Sequence, residues 1–312
     1  MNFRDTAILL IAFNRPATTL EVFQCIRKVQ PTRLYIAADG PRLTHPDDVE
    51  KCKQVRAIKE NVDWDCVVKT RYSEKNQGCK KGVVSAINWF FENEEEGIIL
   101  EDDIIPDESF FPYCADMLNL YRDHENIKAV LGFNLNGQGV KSNSHFIYEG
   151  FYPWGWATWR RAWIQYDPDN YVIDELKALR KTKKSHKHLI NTIDLNLRLI
   201  DKGILDTWDY QFMYMMICKK GYAVAPYANL IKNIGIDGAH SSANILDFDY
   251  GVLNINNMSL NANFSIDEKM NQLFLLEHKQ ASNIVMLKKF LLNINLYKLI
   301  RNLRKKYRAY KK

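Results

Sequence analysis

The sequence predicts an α/β fold with a mainly parallel, doubly wound sheet, and three observations indicate it. Apolar runs at residues 7–13, 33–38 and 98–100 are bounded by polar or turn residues, as in strands that are buried on both faces. Segments with helical spacing separate these runs. Polar side chains directly follow each run, at the carboxyl ends where parallel sheets bind their ligands. This alternation indicates a parallel sheet covered by helices.

The amino-terminal half begins with the strand at residues 7–13. A helix should follow it, capped by Thr18 or Thr19 and ended by Pro31. The strand at residues 33–38 stops at an Asp-Gly-Pro turn. The next expected elements are a charged helix over 46–61, a strand over 66–70, a helix over 80–91 and the strand over 98–100.

The carboxyl-terminal half contains fewer clear strands. Its expected elements are a helix over 110–122, a strand over 129–133, an aromatic segment over 151–159, a lysine-rich helical region to about 188, a helix over 209–219 and a strand over 221–226. No proline- or serine-rich linker and no internal repeat divides the chain. We therefore expect one domain over residues 1–245 and a carboxyl-terminal extension over residues 246–312.

Composition argues against several classes of protein. With 46% apolar residues over 312 positions, the chain can bury a substantial core. No run approaches the ~18 consecutive apolar residues of a membrane span, and the run at 7–13 is too short for a signal peptide, so we expect a cytoplasmic protein. The six cysteines are scattered, which predicts reduced, mostly buried thiols and no zinc site.

Positive charge is concentrated at the end of the chain. Residues 288–312 hold ten Lys or Arg and no Asp or Glu, so the total of +6 leaves −4 for the remainder. Basic and aromatic residues are not interleaved across the fold, which argues against nucleic-acid binding. Apolar residues from 287 to 303 recur at roughly helical spacing, which predicts a basic amphipathic helix. It either contacts an anionic membrane surface or packs on its own domain.

An acidic triplet, Glu101-Asp102-Asp103, follows the strand at 98–100. Adjacent carboxylates repel one another, and Mg²⁺ or Mn²⁺ would relieve that repulsion while neutralising a bound diphosphate. The alternative is a solvated acidic turn that caps the helix beginning near residue 110. The position at the end of a buried strand favours the cation site.

The triplet is followed, after a short spacer, by a Phe-Phe-Pro-Tyr sequence at 110–113. This arrangement resembles the metal motif of GT-A fold glycosyltransferases. It is particularly similar to the N-acetylglucosaminyltransferase I family and its bacterial relatives, over about residues 5–245. The resemblance implies that Asp103 is the direct metal ligand, that Asp102 contacts the sugar or ribose, and that Glu101 shapes the turn in the same nucleotide-sugar site.

The resemblance also covers the other two strand ends. Asn14 and Arg15 match a position where an arginine meets the nucleotide, and a guanidinium suits phosphate oxygens. Ala12, at the end of the first strand, is expected in the same site. Asp39 matches an acid that contacts the nucleobase, because a carboxylate accepts base N–H groups. The alternatives are a surface arginine and a simple Asp-Gly turn, but their coincidence at successive strand ends favours the site.

The stretch at 76–82 resembles a segment that GT-A enzymes place beside the nucleotide. Asn76 and either Lys80 or Lys81 are then expected there, and the alternative is a helix start with solvated lysines. Neither a phosphate-binding P-loop nor a GxGxxG motif occurs, which argues against an NTPase or a nicotinamide enzyme.

The catalytic base of the family lies in a Trp-Asp-Asp segment at a helix start. Here Trp208 and Asp209 match, but the next residue is Tyr210. The resemblance implies that Asp209 takes the proton of the acceptor hydroxyl, with Asp206 as the local competitor. The alternative is a helix cap formed by Asp206 or Thr207.

Three further residues are site candidates. His240 lies in a loop where GT-A enzymes often bring a late histidine to the metal or diphosphate, although a surface histidine is the simpler interpretation. Trp154 and Trp156 are candidates for stacking on the acceptor sugar, whereas Trp159 and Trp163 are expected in the core.

These features predict an inverting, metal-dependent hexosyl- or N-acetylhexosaminyltransferase. It would move a sugar from a nucleoside diphosphate, with a UDP-sugar favoured, to a glycan or lipid-linked glycan in bacterial surface polysaccharide or lipopolysaccharide synthesis. Residues 1–107 would bind the donor and residues 108–245 the acceptor. If the basic tail contacts lipid, the protein lies at the inner face of the membrane. A sugar-1-phosphate nucleotidyltransferase and a non-catalytic glycan-binding protein remain as alternatives.

Overall fold

The computed structural model of the chain describes residues 2–235, 249–258, 260 and 264–310. Its strands are, in chain order, β1 (Ile8–Ala12), β2 (Arg33–Ala38), β3 (Val67–Tyr72), β4 (Glu96–Glu101), β5 (Ile104–Pro106), β6 (Ile127–Leu131), β7 (Lys141–Ser142), β8 (His145–Tyr148), β9 (Trp156–Trp159), β10 (Tyr222–Pro226), β11 (Ile231–Asn233) and β12 (Val252–Leu253). Its helices are α1 (Pro16–Val29), α2 (Asp48–Ala57), α3 (Gly78–Asn93), α4 (Phe110–Leu120), α5 (Arg160–Trp163), α6 (Ile173–Thr182), α7 (Lys187–Asp201), α8 (Asp209–Cys218), α9 (Glu268–Gln280), α10 (Ser282–Asn293) and α11 (Tyr297–Tyr310).

Eight of these strands form one sheet with the order β3-β2-β1-β4-β9-β6-β10-β8. Neighbours run parallel in four pairs, β3 with β2, β2 with β1, β1 with β4 and β6 with β10. The strands β9 and β8 run antiparallel to their neighbours. The predicted α/β fold with a mainly parallel sheet is therefore confirmed.

Both faces of the sheet are covered by helices, as the continuous apolar runs predict. On one face Leu9 of β1 belongs to a buried cluster that includes Phe90 of α3. On the other face Leu10 belongs to a cluster with Phe23 of α1 and Phe110 of α4. Because successive side chains of a strand point to opposite faces, a strand between two helical layers is apolar at every position.

The strand β9 was not predicted. Its four residues insert antiparallel between β4 and β6, and all four side chains are buried. The Thr158 hydroxyl donates to the Lys128 carbonyl oxygen at 2.6 Å, which satisfies the polar group in the core. A four-residue strand that contains two tryptophans is too short to show a clear period. Trp159 and Trp163 are buried, as predicted.

The start of α1 also differs from the prediction. Neither Thr18 nor Thr19 caps the helix, because Pro16 occupies its first position and Arg15 precedes it. Proline suits that position, where its missing N–H would have had no partner within the helix. The Thr19 hydroxyl instead donates to the Arg15 carbonyl oxygen at 2.6 Å. The charged helix predicted over 46–61 is shorter in the structure. It is α2, which ends at Ala57, and a short 3₁₀ turn follows it.

The carboxyl-terminal extension is helical, as predicted. Phe274 of α9 packs edge-on against Tyr148 of β8, with ring centroids 5.7 Å apart. Val285 and Leu292 of α10 are buried in a cluster with residues of α7. None of the helices in the described ranges is long and apolar enough to cross a membrane. The six cysteines are free thiols, of which Cys52 and Cys114 are fully buried.

A buried polar network joins the extension to the sheet. Glu149, which follows β8, accepts hydrogen bonds from Lys183 Nζ at 3.2 Å and from Asn271 Nδ2 at 3.1 Å. It also pairs with His186 Nε2. The Glu149 backbone N–H donates to Asn271 Oδ1 at 3.1 Å. Both polar atoms of the Asn271 side-chain amide are therefore bonded to Glu149, which ties α9 to the end of β8. The network therefore connects the end of β8 to α9 and to the segment between α6 and α7.

Candidate functional site

A cleft of about 810 Å³ opens at the carboxyl ends of β1, β2 and β4, which lies within the range of about 300–1,000 Å³ for small-molecule sites. These ends meet because β1 is parallel to both neighbours, with Ala12 opposite Ala38 and Ile11 opposite Glu101. The predicted site residues that line the cleft are Ala12, Asn14, Arg15, Asp39, Asn76, Glu101, Asp102, Asp103, Trp154 and Asp209.

Arg15 bridges two acids of the triplet. Its Nη1 lies 2.7 Å from Asp103 Oδ2, and its Nη2 donates to Asp102 Oδ1. The backbone N–H of Phe13 donates to Asp102 Oδ2 at 3.0 Å, so both oxygens of this buried carboxylate are engaged. We expected the Arg15 guanidinium to meet the nucleotide, and in this structure two carboxylates hold it.

One arginine does not balance the negative charge of the site. Burial, and then repulsion by Asp103 and Asp102, raises the pKa of the Glu101 carboxyl. Burial also raises the pKa of Asp102, although Arg15 works in the opposite direction. Asp209 adds a further negative charge to the field at Glu101. Crowded, desolvated carboxylates of this kind gain stability from a cation, so the donor set fits Mg²⁺ or Mn²⁺.

The described residues contain no group of three His, Cys, Asp or Glu side chains arranged to hold a metal ion. A magnesium-type site usually takes one or two carboxylates and completes its coordination with water and phosphate oxygens. Asp103, together with Asp102 or Glu101, would supply carboxylates of that kind. His240, the other predicted ligand, lies outside the described residues.

A second segment of the chain passes close to Asp103. The strand β11 pairs antiparallel with β5, which starts directly after the triplet. The Ile234 N–H donates to the Asp103 carbonyl oxygen at 2.9 Å. A Cβ at Gly235 would collide with the Asp103 carboxylate, so glycine is required for this close approach.

Asp39 holds a loop in place. Its carboxylate accepts the backbone N–H groups of Gly40 at 2.8 Å, of Gln77 at 2.9 Å and of Gly78 at 3.2 Å. The Asn76 side-chain amide donates to it as well, at 2.9 Å. Asp39 and Asn76, which were predicted separately as nucleotide contacts, therefore form one unit that joins the end of β2 to the start of α3.

The two candidate bases have different surroundings. Asp206 Oδ2 accepts the Cys79 N–H at 2.8 Å, and its Oδ1 accepts the Lys80 N–H at 3.1 Å. It therefore caps the amino terminus of α3, where helices leave N–H groups without partners. Asp209 is the first residue of α8 and accepts a hydrogen bond from the Thr207 hydroxyl.

Two of the expected site residues lie elsewhere. Lys80 is not among the described residues that line the cleft, and its Nζ pairs with Asp169 at 2.7 Å. Trp156 is 1% exposed and stacks on Trp208 in the core, with ring centroids 5.6 Å apart. The expectation that Trp156 contacts the acceptor is therefore wrong, because β9 points this side chain into the core. Trp154 remains partly exposed and lines the cleft.

An arginine that lines the cleft and the buried acid that holds it were missed. Asp48 accepts from Arg42 Nε at 2.6 Å and from Asn14 Nδ2 at 2.7 Å. The Arg42 guanidinium also lies over the Phe13 ring, 5.3 Å from its centroid. Arg42 follows the Asp-Gly-Pro turn after β2 and was detectable on that ground. Nothing in the sequence marked Asp48 as a site residue, because it is the first residue of a helix that is rich in charged residues.

Basic side chains also line the cleft. The described basic residues that line the cleft are Arg15, Arg42, Lys51, Arg71 and Arg301. Arg301 comes from α11 and donates to the Ile204 carbonyl oxygen. The sequence alone gave no reason to place this helix beside the cleft, because no motif connects it with the strand ends.

No protein-family model and no curated protein sequence matches the chain. Among solved structures, a mannosyltransferase from Pyrobaculum calidifontis, PcManGT, in complex with GDP-Man and Mn²⁺, is similar at 13% sequence identity with a TM-score of 0.33. The similar region covers 49% of this chain and 44% of that one. The chain thus matches less than half of that protein. A likeness this weak carries no argument about activity, which has to come from the site.

Proposed function

We propose that the chain is a metal-dependent glycosyltransferase that moves a sugar from a nucleoside diphosphate to a hydroxyl group. One observation carries the proposal: the acidic triplet at the end of β4 and Asp209 at the start of α8 line the same cleft. A cation-binding carboxylate cluster and a separate carboxylate for proton transfer are the two parts that such a reaction requires.

The donor would bind across the ends of β1, β2 and β3. The basic residues Arg42, Lys51 and Arg71 line this part of the cleft and suit the negative charge of a nucleoside diphosphate. The unit formed by Asp39 and Asn76 shapes the wall between β2 and α3. A UDP-sugar is the favoured donor on the family resemblance alone.

Asp103, with Asp102 or Glu101, would hold the divalent cation, which when bound neutralises charge on the departing diphosphate. Arg15 already serves as counter-ion to Asp102 and Asp103. Burial raises the pKa of Asp102, and the Arg15 guanidinium opposes this and so favours the charged carboxylate that a cation ligand requires.

Asp209 would act as the general base. Its carboxylate takes the proton of the acceptor hydroxyl while the hydroxyl oxygen bonds to the anomeric carbon of the sugar. The bond between that carbon and the diphosphate oxygen breaks, and its electron pair leaves with the diphosphate. Attack from the opposite face inverts the anomeric carbon. The Thr207 hydroxyl orients Asp209, and Trp154 offers an aromatic face for an acceptor sugar.

The environments of the two acids support this choice of base. Both oxygens of Asp206 accept backbone N–H groups of α3, so this carboxylate is already engaged in capping that helix. Asp209 lies at the helix start, beside the cleft.

An acceptor in bacterial surface polysaccharide or lipopolysaccharide remains a proposal that follows from the resemblance.

Release of nucleoside diphosphate from a panel of nucleotide sugars tests the proposal. With Mn²⁺ we expect slow hydrolysis of one donor class, and with EDTA we expect that release to stop. Formation of pyrophosphate from a nucleoside triphosphate and a sugar 1-phosphate would instead identify a nucleotidyltransferase. If no donor releases nucleoside diphosphate in the presence of metal, a non-catalytic binding protein would be favoured.

A further inference from the structure

The helix α10 carries apolar residues on two opposite faces. Val285 and Leu292 face α7 and are buried. Met286, Leu287 and Phe290 lie on the other side of the helix, and each is more than half exposed, at 55%, 53% and 59%. One face therefore anchors the helix to the domain, while the other presents large apolar side chains to the surroundings.

The exposed apolar residues continue into α11. Leu299 and Leu303 are spaced by one helical turn and are 56% and 57% exposed. Of the 19 large apolar side chains that are exposed in the described ranges, eight lie within residues 284–303. Exposed apolar residues are normally scattered, and a concentration of this kind marks an interaction surface. We call the eight exposed apolar residues within 284–303 the apolar ridge.

Charge decides which partner fits this ridge. Residues 288–312 contain ten Lys or Arg and no Asp or Glu. A second copy of the chain in a symmetric pair would bring this positive charge against itself. An anionic bilayer instead takes the apolar side chains into its interface and attracts the lysines and arginines to its headgroups.

We propose that the apolar ridge docks the protein on the surface of an anionic lipid bilayer. The helices lie in the interface and do not cross it, since none in the described ranges is long and apolar enough to span a membrane. Arg301, on the same helix as Leu299 and Leu303, lines the cleft. For the transferase proposed above, docking would favour an acceptor carried on a lipid of that bilayer, a consequence that rests on the proposed function.

Flotation of the full chain with lipid vesicles tests the docking. We expect binding to phosphatidylcholine vesicles that contain about one third phosphatidylglycerol, and at least about tenfold weaker binding to pure phosphatidylcholine. Binding should fall when salt rises from about 0.1 M to about 0.5 M, because salt screens the charge attraction.

A triple variant, Leu287→Gln with Phe290→Gln and Leu299→Gln, should reduce binding to the anionic vesicles by at least about tenfold. These side chains are exposed, so its circular dichroism and unfolding temperature should match those of the unaltered protein. The matched control changes three exposed apolar residues elsewhere, Leu43, Ile164 and Val172, to Gln, and it should bind normally.

Three outcomes would overturn the docking proposal. These are equal binding to neutral and anionic vesicles, unchanged binding of the triple variant, and a dimer in sedimentation that the triple variant disrupts while vesicles bind neither protein. Donor hydrolysis in solution should be the same in the triple variant, because its three residues lie outside the cleft. Flotation and hydrolysis can therefore fail independently of each other.

Discussion

At the scale of single residues, the acids of the cleft differ in what their oxygens bind. The carboxylates of Asp39 and Asp206 accept backbone N–H groups at the start of α3, and so they fix the wall of the cleft. The triplet carboxylates Asp102 and Asp103 face a single arginine. Asp102 also accepts the Phe13 N–H, so of these acids Asp103 is the one whose carboxylate bonds, among the described residues, to Arg15 alone.

The choice of base gives a prediction at this scale. Asp209→Asn should retain donor binding and lose at least about 100-fold in transfer, because the amide does not accept the hydroxyl proton. Asp206→Ala should lower the free energy of unfolding by about 1 kcal/mol, as expected for a lost helix cap, and should still transfer sugar. Donor binding, transfer rates and urea unfolding of both variants measure these effects. Full transfer activity in Asp209→Asn would remove that residue from the mechanism.

Sequence reasoning at this scale found the residues that follow strands and missed those that arrive from elsewhere. Arg15, Asp39 and Asp103 could be located because each lies within three residues after a buried apolar run. Asp48 and Arg301 could not, because their positions depend on how α2 and α11 pack in the folded domain.

At the scale of elements, predictability depended on length and burial. The strands β1, β2 and β4 contain continuous apolar runs with a helix layer on each face, and these runs are visible in the sequence. The strand β9 is equally buried, but its four residues were indistinguishable from the aromatic segment around them. Trp156 was assigned to the acceptor site for that reason, and its side chain is part of the core.

The network around Glu149 gives a prediction at the element scale. We expect Glu149→Gln to lower the free energy of unfolding by about 2 kcal/mol or more near neutral pH, because it removes the largely buried carboxylate that Lys183, His186 and Asn271 contact. Exposed Glu268, at the start of α9, provides the control, and Glu268→Gln should be close to neutral. Urea unfolding of the two variants measures the difference.

Glu149 should also make the stability of the protein depend on pH. Burial alone would raise the pKa of Glu149, but hydrogen bonds from His186 and Asn271 lower it to about 2. Because the folded pKa lies below that of a free glutamate, the stabilisation is complete above about pH 4.3 and is lost as the pH falls further. The stability difference between the unaltered protein and Glu149→Gln should therefore shrink below about pH 4. A difference that grows in acid would contradict this assignment.

At the scale of the whole molecule, the cleft lies where two parts of the sheet meet. The parallel order β3-β2-β1-β4 supplies the strand ends that carry Arg15, Asp39 and the triplet. The antiparallel strand β9 then begins the other part, and Trp154 and Asp209 reach the cleft from that side. The division into a donor half over residues 1–107 and an acceptor half over residues 108–245 stays a prediction, and the boundary at residues 245 and 246 lies outside the described residues.

The central claim is that Asp103 belongs to a cation site that binds a nucleotide sugar. Thermal unfolding with nucleotide sugars, with and without Mn²⁺, tests it most directly, because a ligand that binds the folded state raises its unfolding temperature. We expect a donor to raise this temperature in the unaltered protein only with Mn²⁺, and Asp103→Asn to abolish the rise. A metal-independent response, or a full response in Asp103→Asn, would contradict the account.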